Sequence, residues 1–149
     1  RTRHLALPSA VWRDERAASM RYIARAHAQK GERDEARDWY LRAAAEAPHL
    51  REPWVDLAML LYEDQEWDGV LYATACALKI RERPRTYICE AEAWGGLPHD
   101  LRCQAYYHTG RLPQALEEAR LALAAAPSDP RLAGNAELLE KMAGLAGEL

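Results

Sequence analysis

His99 and Cys103 stand four residues apart, so one helix face would present both. Cys89 and His108 are the nearest further soft ligands. Zinc takes four ligands at regular, closer spacing, and capping and core packing account for these residues more simply. The three cysteines, Cys76, Cys89 and Cys103, are odd in number and far apart. They form neither a disulfide framework nor a CxxC pair, and read as reduced thiols of a cytoplasmic protein. Glu63, Asp64, Glu66 and Asp68 crowd one stretch, but paired carboxylates do acid–base work only where a cleft shifts their pKa values. That stretch reads as a solvated turn, with Asp68 capping the helix after it. Lys79, Arg81, Arg83 and Arg85 form a basic run interrupted by Glu82, and Tyr87 is its one stacking aromatic. Single-stranded RNA needs more rings beside the charge; cations at a helix C-terminus are the better account. No nucleophile stands beside a base. These patterns give no catalytic residue, no metal site and no cofactor.

The chain has 149 residues and a formal charge of −3, which makes no electrostatic case for nucleic acid. Residues 1–42 nevertheless carry a net +4 and residues 43–149 a net −7. Apolar residues make up 49 % of the chain, enough for a sizeable core. They come at helical spacing, and no run is long enough to span a bilayer. No signal peptide is legible.

The elements that would position any site come from a repeated ladder. Gly31, Ala36, Tyr40, Ala43 and Pro48 return as Gly110, Ala115, Ala119, Ala122 and Pro127 at the same offsets. Glycine ends one helix in a left-handed conformation. Small residues then line one face of the next helix, and proline closes the unit. Met20, Ile23, Ala24 and His27 stand 34 residues before Trp54, Leu57, Ala58 and Leu61, which marks a second, degenerate unit with Gln65 in place of the turn glycine. Two periods would separate the glycines by 68 residues; they are 79 apart, so 11 are inserted between Leu78 and Pro98. Residues 1–16 read as a lead-in and the start of the first helix, with Ser9 as its cap and a break near Ala17. The next helix starts under an Asp34 cap. Units then span about 17–50, 51–84 and 96–129, with an insert at about 79–97. Asp129 and Pro130 start a cap helix over 130–143, followed by a tail at 144–149. The tryptophans Trp12, Trp39, Trp54, Trp67 and Trp94 read as core at the repeat joints, Trp94 also as a ring of the inserted loop. The fold class is all-α, a solenoid of three helix pairs and a capping helix.

At these residues the chain resembles the tetratricopeptide-repeat family over roughly residues 17–143. The resemblance implies an α-solenoid whose first helix in each unit lines a concave groove that takes a protein or peptide partner. More narrowly, EPWVDLAMLLYEDQEW (52–67), AEAWGGLPHD (91–100) and SDPRLAGN (128–135) resemble the accessory tail of bacterial family-2-type glycosyltransferases. The chain would then be the non-catalytic C-terminal part of such an enzyme, with its own catalytic domain or a second copy as further partners.

The repeat phase puts Arg21 and Arg25 of the first unit toward that groove, with Val55, Met59 and Tyr62 of the second. Asp100, Gln104, Tyr107 and His108 of the third follow, and Asn135 reaches it from the cap helix. In the resembled family arginines on first helices hold a terminal carboxylate; the asparagine expected beside them is alanine here. The function expected is an interaction scaffold. The alternative is a glycan- or acceptor-binding module with Tyr87 and Trp94 as contacts. Neither reading involves nucleic acid or a membrane.

Overall fold

The computed structural model describes the backbone of residues 2–85 and 89–148, with side chains over 11–85 and 89–147. Among the described residues there are helices and no strand: α1 (Thr2–Gln29), α2 (Arg33–Glu46), α3 (Glu52–Glu63), α4 (Trp67–Lys79), α5 (Ala91–Trp94), α6 (Leu97–His108), α7 (Leu112–Ala125) and α8 (Pro130–Glu148). No described helix is long and apolar enough to cross a membrane.

The three tight turns share one backbone device. Gly31 (φ 80°), Gln65 (φ 57°) and Gly110 (φ 75°) are all left-handed. At each, the next residue's N–H returns to a carbonyl five residues back: Glu32 to His27 at 2.9 Å, Glu66 to Leu61 at 2.9 Å and Arg111 to Tyr106 at 2.8 Å. This is the Schellman closure, and it satisfies carbonyls that the helix end would orphan. It folds α1 onto α2, α3 onto α4 and α6 onto α7.

The same closure moves two expected caps. One residue separates each turn residue from the next helix, so the cap positions are Glu32 and Glu66, without side-chain cap bonds. Asp34 and Asp68 lie already in the first turn. There their charge still faces the helix's positive end. At α8 the cap is Asp129, whose Oδ1 accepts the N–H of Arg131 at 2.9 Å.

The N-terminal lead-in and the Ser9 cap are not found: α1 runs unbroken from Thr2 through Pro8, Ser9 and Ala17. Strong helix formers around Pro8 carry the helix past it. Ala17 is fully buried with Ala43, Ala47 and Leu50, so packing holds the helix where a break was expected. At the other end, the residues expected as a tail continue α8 to Glu148.

Pairs stack through the second helix of one on the first helix of the next: α2 on α3, α4 on α6, α7 on α8. Small residues set the spacing. Ala24, Ala36, Ala58, Ala73, Ala77 and Ala105 are all fully buried in the main cluster, where alanine lets helix axes approach closely. Trp39, Trp54, Trp67 and Trp94 pack partly buried against that cluster. Trp12 does not: it is 60 % exposed on the outer face of α1.

Candidate partner surface

The first helices form one layer, with α1 touching α3 and α3 touching α6. Two clefts open on it. A cleft of about 450 Å³ is lined by Arg25, Ala28 and Gln29 of α1, Tyr40 of α2, Asp56, Met59, Leu60 and Glu63 of α3, and Glu90 of the insert. A smaller one of about 170 Å³ lies between α6 and α8, lined by Cys103, Gln104, Tyr107, Asn135, Leu138 and Leu139.

Arg21, expected to face the groove, sits beneath the first cleft at 5 % exposure. Its Nε donates to Asp56 Oδ2 at 2.7 Å and its Nη2 to Glu90 Oε1 at 2.8 Å. Burial alone would lower its pKa, but these carboxylates raise it. Arg21 is thus a buried tie between α1, α3 and the insert, held by the largely buried Asp56 carboxylate and by the exposed Glu90 at the cleft rim. Burial pushes the Asp56 carboxyl above its ordinary range, with Arg21 and Arg25 only partly opposing. Arg25 remains half exposed, 3.6 Å from Asp56, and is the cation that lines the cleft. Burial and the Asp56 charge raise the Tyr40 pKa. Val55, also expected on the groove, is buried at 3 % in the main core; its place on the lining is taken by its neighbour Asp56. Met59, 42 % exposed, does line it.

A row of rings crosses the layer between the clefts. Tyr62 meets Trp67 edge-on at 5.5 Å, Trp67 stacks on His108 at 4.4 Å and 8°, and His108 meets Tyr107 edge-on at 5.2 Å. His108 is therefore engaged by Trp67, while Tyr62 and Tyr107 keep exposed faces. Asp100, expected to face the groove, is paired with Arg131 of α8 at 2.6 Å. Gln104 and Asn135 line the smaller cleft together with Tyr107. Burial, with Asp100 and Glu118 adding, pushes the Cys103 thiol at its base up to about 11, so it acts as an apolar wall.

Trp94 is not an open platform. Its indole N–H donates to Glu52 Oε2 at 2.8 Å, and the Arg51 guanidinium lies over its ring at 4.7 Å. Glu52 also takes the Glu90 N–H at 2.7 Å, and Arg51 donates to the Ile80 carbonyl at 2.6 Å. The insert is thus clamped onto the start of α3. Tyr87 lies outside the described residues. Among the described residues no three His, Cys, Asp or Glu side chains converge as metal ligands.

Among the cleft residues that sequence reasoning missed are Asp56, Glu63, Glu90, Leu138 and Leu139. Leu138 and Leu139 had a signal, since they follow Asn135 by three and four residues and so share its face. Glu90 had none: only the folded insert carries it to Arg21.

No protein-family model matches the chain, and no curated protein matches it. Solved structures do. The N-terminal domain of stress-induced protein-1 (STI-1) from C. elegans superposes with a TM-score of 0.74 at 15 % identity, over 86 % of this chain and 97 % of that one. The first TPR of Spaghetti (RPAP3), bound to the HSP90 peptide SRMEEVD, gives 0.72 at 14 %, over 88 % and 95 %. The Arabidopsis OM64 TPR domain gives 0.70 at 16 %, over 87 % and 98 %. The fold of this chain is that of the tetratricopeptide-repeat domains.

Proposed function

We propose that the chain is a non-catalytic interaction scaffold that receives an extended protein segment along its first-helix layer. The observation that carries this is the pair of clefts on one layer, joined by the exposed rings of Tyr62 and Tyr107. Tyrosine and arginine are frequent interface anchors, and Arg25, Met59, Tyr62, Gln104, Tyr107 and Asn135 are the contacts assigned. The RPAP3 domain was solved with a peptide of acidic character. Here one arginine and three carboxylates, Asp56, Glu63 and Glu90, line the larger cleft, so a neutral or basic segment suits it better than an acidic one. Selection from a random peptide display library tests the reading. Selected peptides should bind the wild type and lose about tenfold or more affinity in Tyr107→Ala and Leu138→Asp, with unchanged circular dichroism. No enriched peptide, or equal binding to both variants, would overturn it.

The setting we propose is the tail of a bacterial glycosyltransferase in the cytoplasm, with the enzyme's own catalytic domain among its partners. The three stretches that carry that resemblance are tied together in this fold: Glu52 bonds Trp94, and Asp100 bonds Arg131. Such ties favour one fixed module. Three free cysteines fit a reducing compartment. The gene upstream of Arg1 tests the assignment: a nucleotide-sugar-binding domain there supports it and an unrelated frame removes it. The glycan alternative loses one of its two contacts, since the Trp94 indole N–H and ring are engaged by Glu52 and Arg51; Tyr87 lies outside the described residues.

A further inference from the structure

The first helices are not evenly packed. α1 touches α3 and α3 touches α6, but α6 and α8 meet chiefly through α7. That gap is the cleft of about 170 Å³. Its floor is apolar and closed, since Cys103 and Leu139 are buried. Its flanks are an exposed ring and an exposed aliphatic chain, Tyr107 at 41 % and Leu138 at 56 %. Two carboxamides complete it, Gln104 of α6 and Asn135 of α8, and no charged group lines it. The charges felt at Cys103 are spent on one another: Asp100 pairs with Arg131, and Glu118 with His99 and Arg102. Glu137 and Lys141, which flank Leu138 on α8, pair at 3.6 Å. The carboxamides differ from all of these. Among the described residues neither has a hydrogen-bond partner in the protein. Each brings N–H donors and a carbonyl acceptor to the opening over an apolar floor.

We infer that this cleft is the specificity subsite of the proposed layer: it seats one aliphatic side chain of the bound segment, and Gln104 and Asn135 hold that residue's peptide units. The inference rests on the reading of the layer as a peptide-binding surface and names what is recognised there. Size argues for a single side chain. Clefts that take a small-molecule ligand begin at about 300 Å³, well above this one. Charge argues for a neutral residue. A carboxylate or an ammonium seated here would give up hydration and meet no free counter-charge. The two carboxamides argue for main chain beside it. A peptide unit donates through its N–H and accepts through its carbonyl, which matches a carboxamide on both counts. A hydrocarbon without amides would leave Gln104 and Asn135 to water.

Blocked tripeptides test the inference on the whole chain. The probes are acetyl-alanyl-leucyl-alanine amide, the same peptide with a central lysine or aspartate, and a form in which an ester replaces the leucine N–H. Chemical shifts of the isotope-labelled chain report where they bind. The leucine probe should shift the side-chain amide signals of Gln104 and Asn135. The lysine and aspartate probes should bind about tenfold or more weakly, and the ester about threefold or more weakly. Replacing both carboxamides, Gln104→Leu with Asn135→Leu, should erase the difference between amide and ester with circular dichroism unchanged. A merely structural role would leave that difference alone. Equal binding of the three central residues, an ester equal to the amide, or shifts only outside the cleft would overturn the inference. So would no shift with any probe, and cleft signals that move with chain concentration alone, which would give the cleft to a second copy. Display-selected peptides that depend on Tyr107 yet tolerate lysine at every position would remove this subsite and leave the scaffold standing. With no selected peptide, the scaffold reading itself falls.

Discussion

Glu52, 1 % exposed, accepts the Trp94 indole N–H across 42 residues of chain. One carboxylate thereby fastens the insert to the α3 start. Trp94→Phe removes the donor and part of the ring packed under Arg51, so it should cost about 1–3 kcal/mol. Glu52→Ala strands the Glu90 N–H as well and should cost more, about 2–4 kcal/mol. Urea midpoints measure both. Limited proteolysis should show earlier cutting near residue 85 in both variants. Equal midpoints for wild type and Glu52→Ala would mean that the clamp contributes nothing.

Gln65 occupies a left-handed position that its two counterparts give to glycine. An L side chain there carries strain of about 1–2 kcal/mol, offset in part by the entropy a glycine loses on folding. Gln65→Gly should therefore stabilise by about 0.5–1 kcal/mol, and Gly31→Gln should destabilise by a similar amount. Thermal or urea unfolding of the pair gives the sign directly.

Gly96 and Gly69 both lack room for a methyl, but for different reasons. A Cβ on Gly96 would stand 3.0 Å from the Ala122 carbonyl oxygen, where α7 backbone passes the start of α6. Backbone cannot step aside cheaply, so Gly96→Ala should cost about 1–3 kcal/mol. A Cβ on Gly69 would meet Leu61 Cδ1 at 2.8 Å, the free end of a side chain that can rotate. Alanine in a helix also gains roughly 1 kcal/mol over glycine. Gly69→Ala should then be near neutral. Equal losses at the two sites would refute the distinction.

The pairs and turns were legible because small residues and left-handed residues recur with a fixed period. Gln65 could be placed by phase alone, although its type hides the turn. The individual groove positions were less legible. A period says which face of a helix looks inward, not which side chain on it finds a partner. Arg21 and Arg25 lie one helical turn apart, yet Asp56 and Glu90 bury the first and leave the second half exposed. Asp100 was lost to Arg131 in the same way. The insert was the least legible part, since it has no periodicity and its anchor, Glu52, sits in another unit.

The joint between the second and third units carries a pH dependence. Arg102 of α6 donates to the Leu71 carbonyl at 2.9 Å, to Thr74 Oγ1 at 3.1 Å and to Glu118 Oε1 at 3.2 Å. Glu118 Oε2 meets His99 Nδ1 at 2.7 Å. Burial pushes the Glu118 carboxyl up, but the hydrogen bonds and charges of His99 and Arg102 outweigh it and hold it below the ordinary carboxylate range. A group with a depressed folded pKa contributes stability that is present above its unfolded pKa and lost as pH falls through the folded value. Asp56 has the opposite sign: its raised pKa gives a contribution present at low pH and lost as pH rises. The two partly cancel, so wild-type stability should fall only gently between about pH 5 and pH 3 from these groups. Glu118→Gln should lose about 2 kcal/mol at neutral pH and flatten that acid limb further. Asp56→Asn removes the compensating group and should steepen it. Urea unfolding at several pH values separates the variants, and an acid limb unchanged in Glu118→Gln would place the titrating group elsewhere.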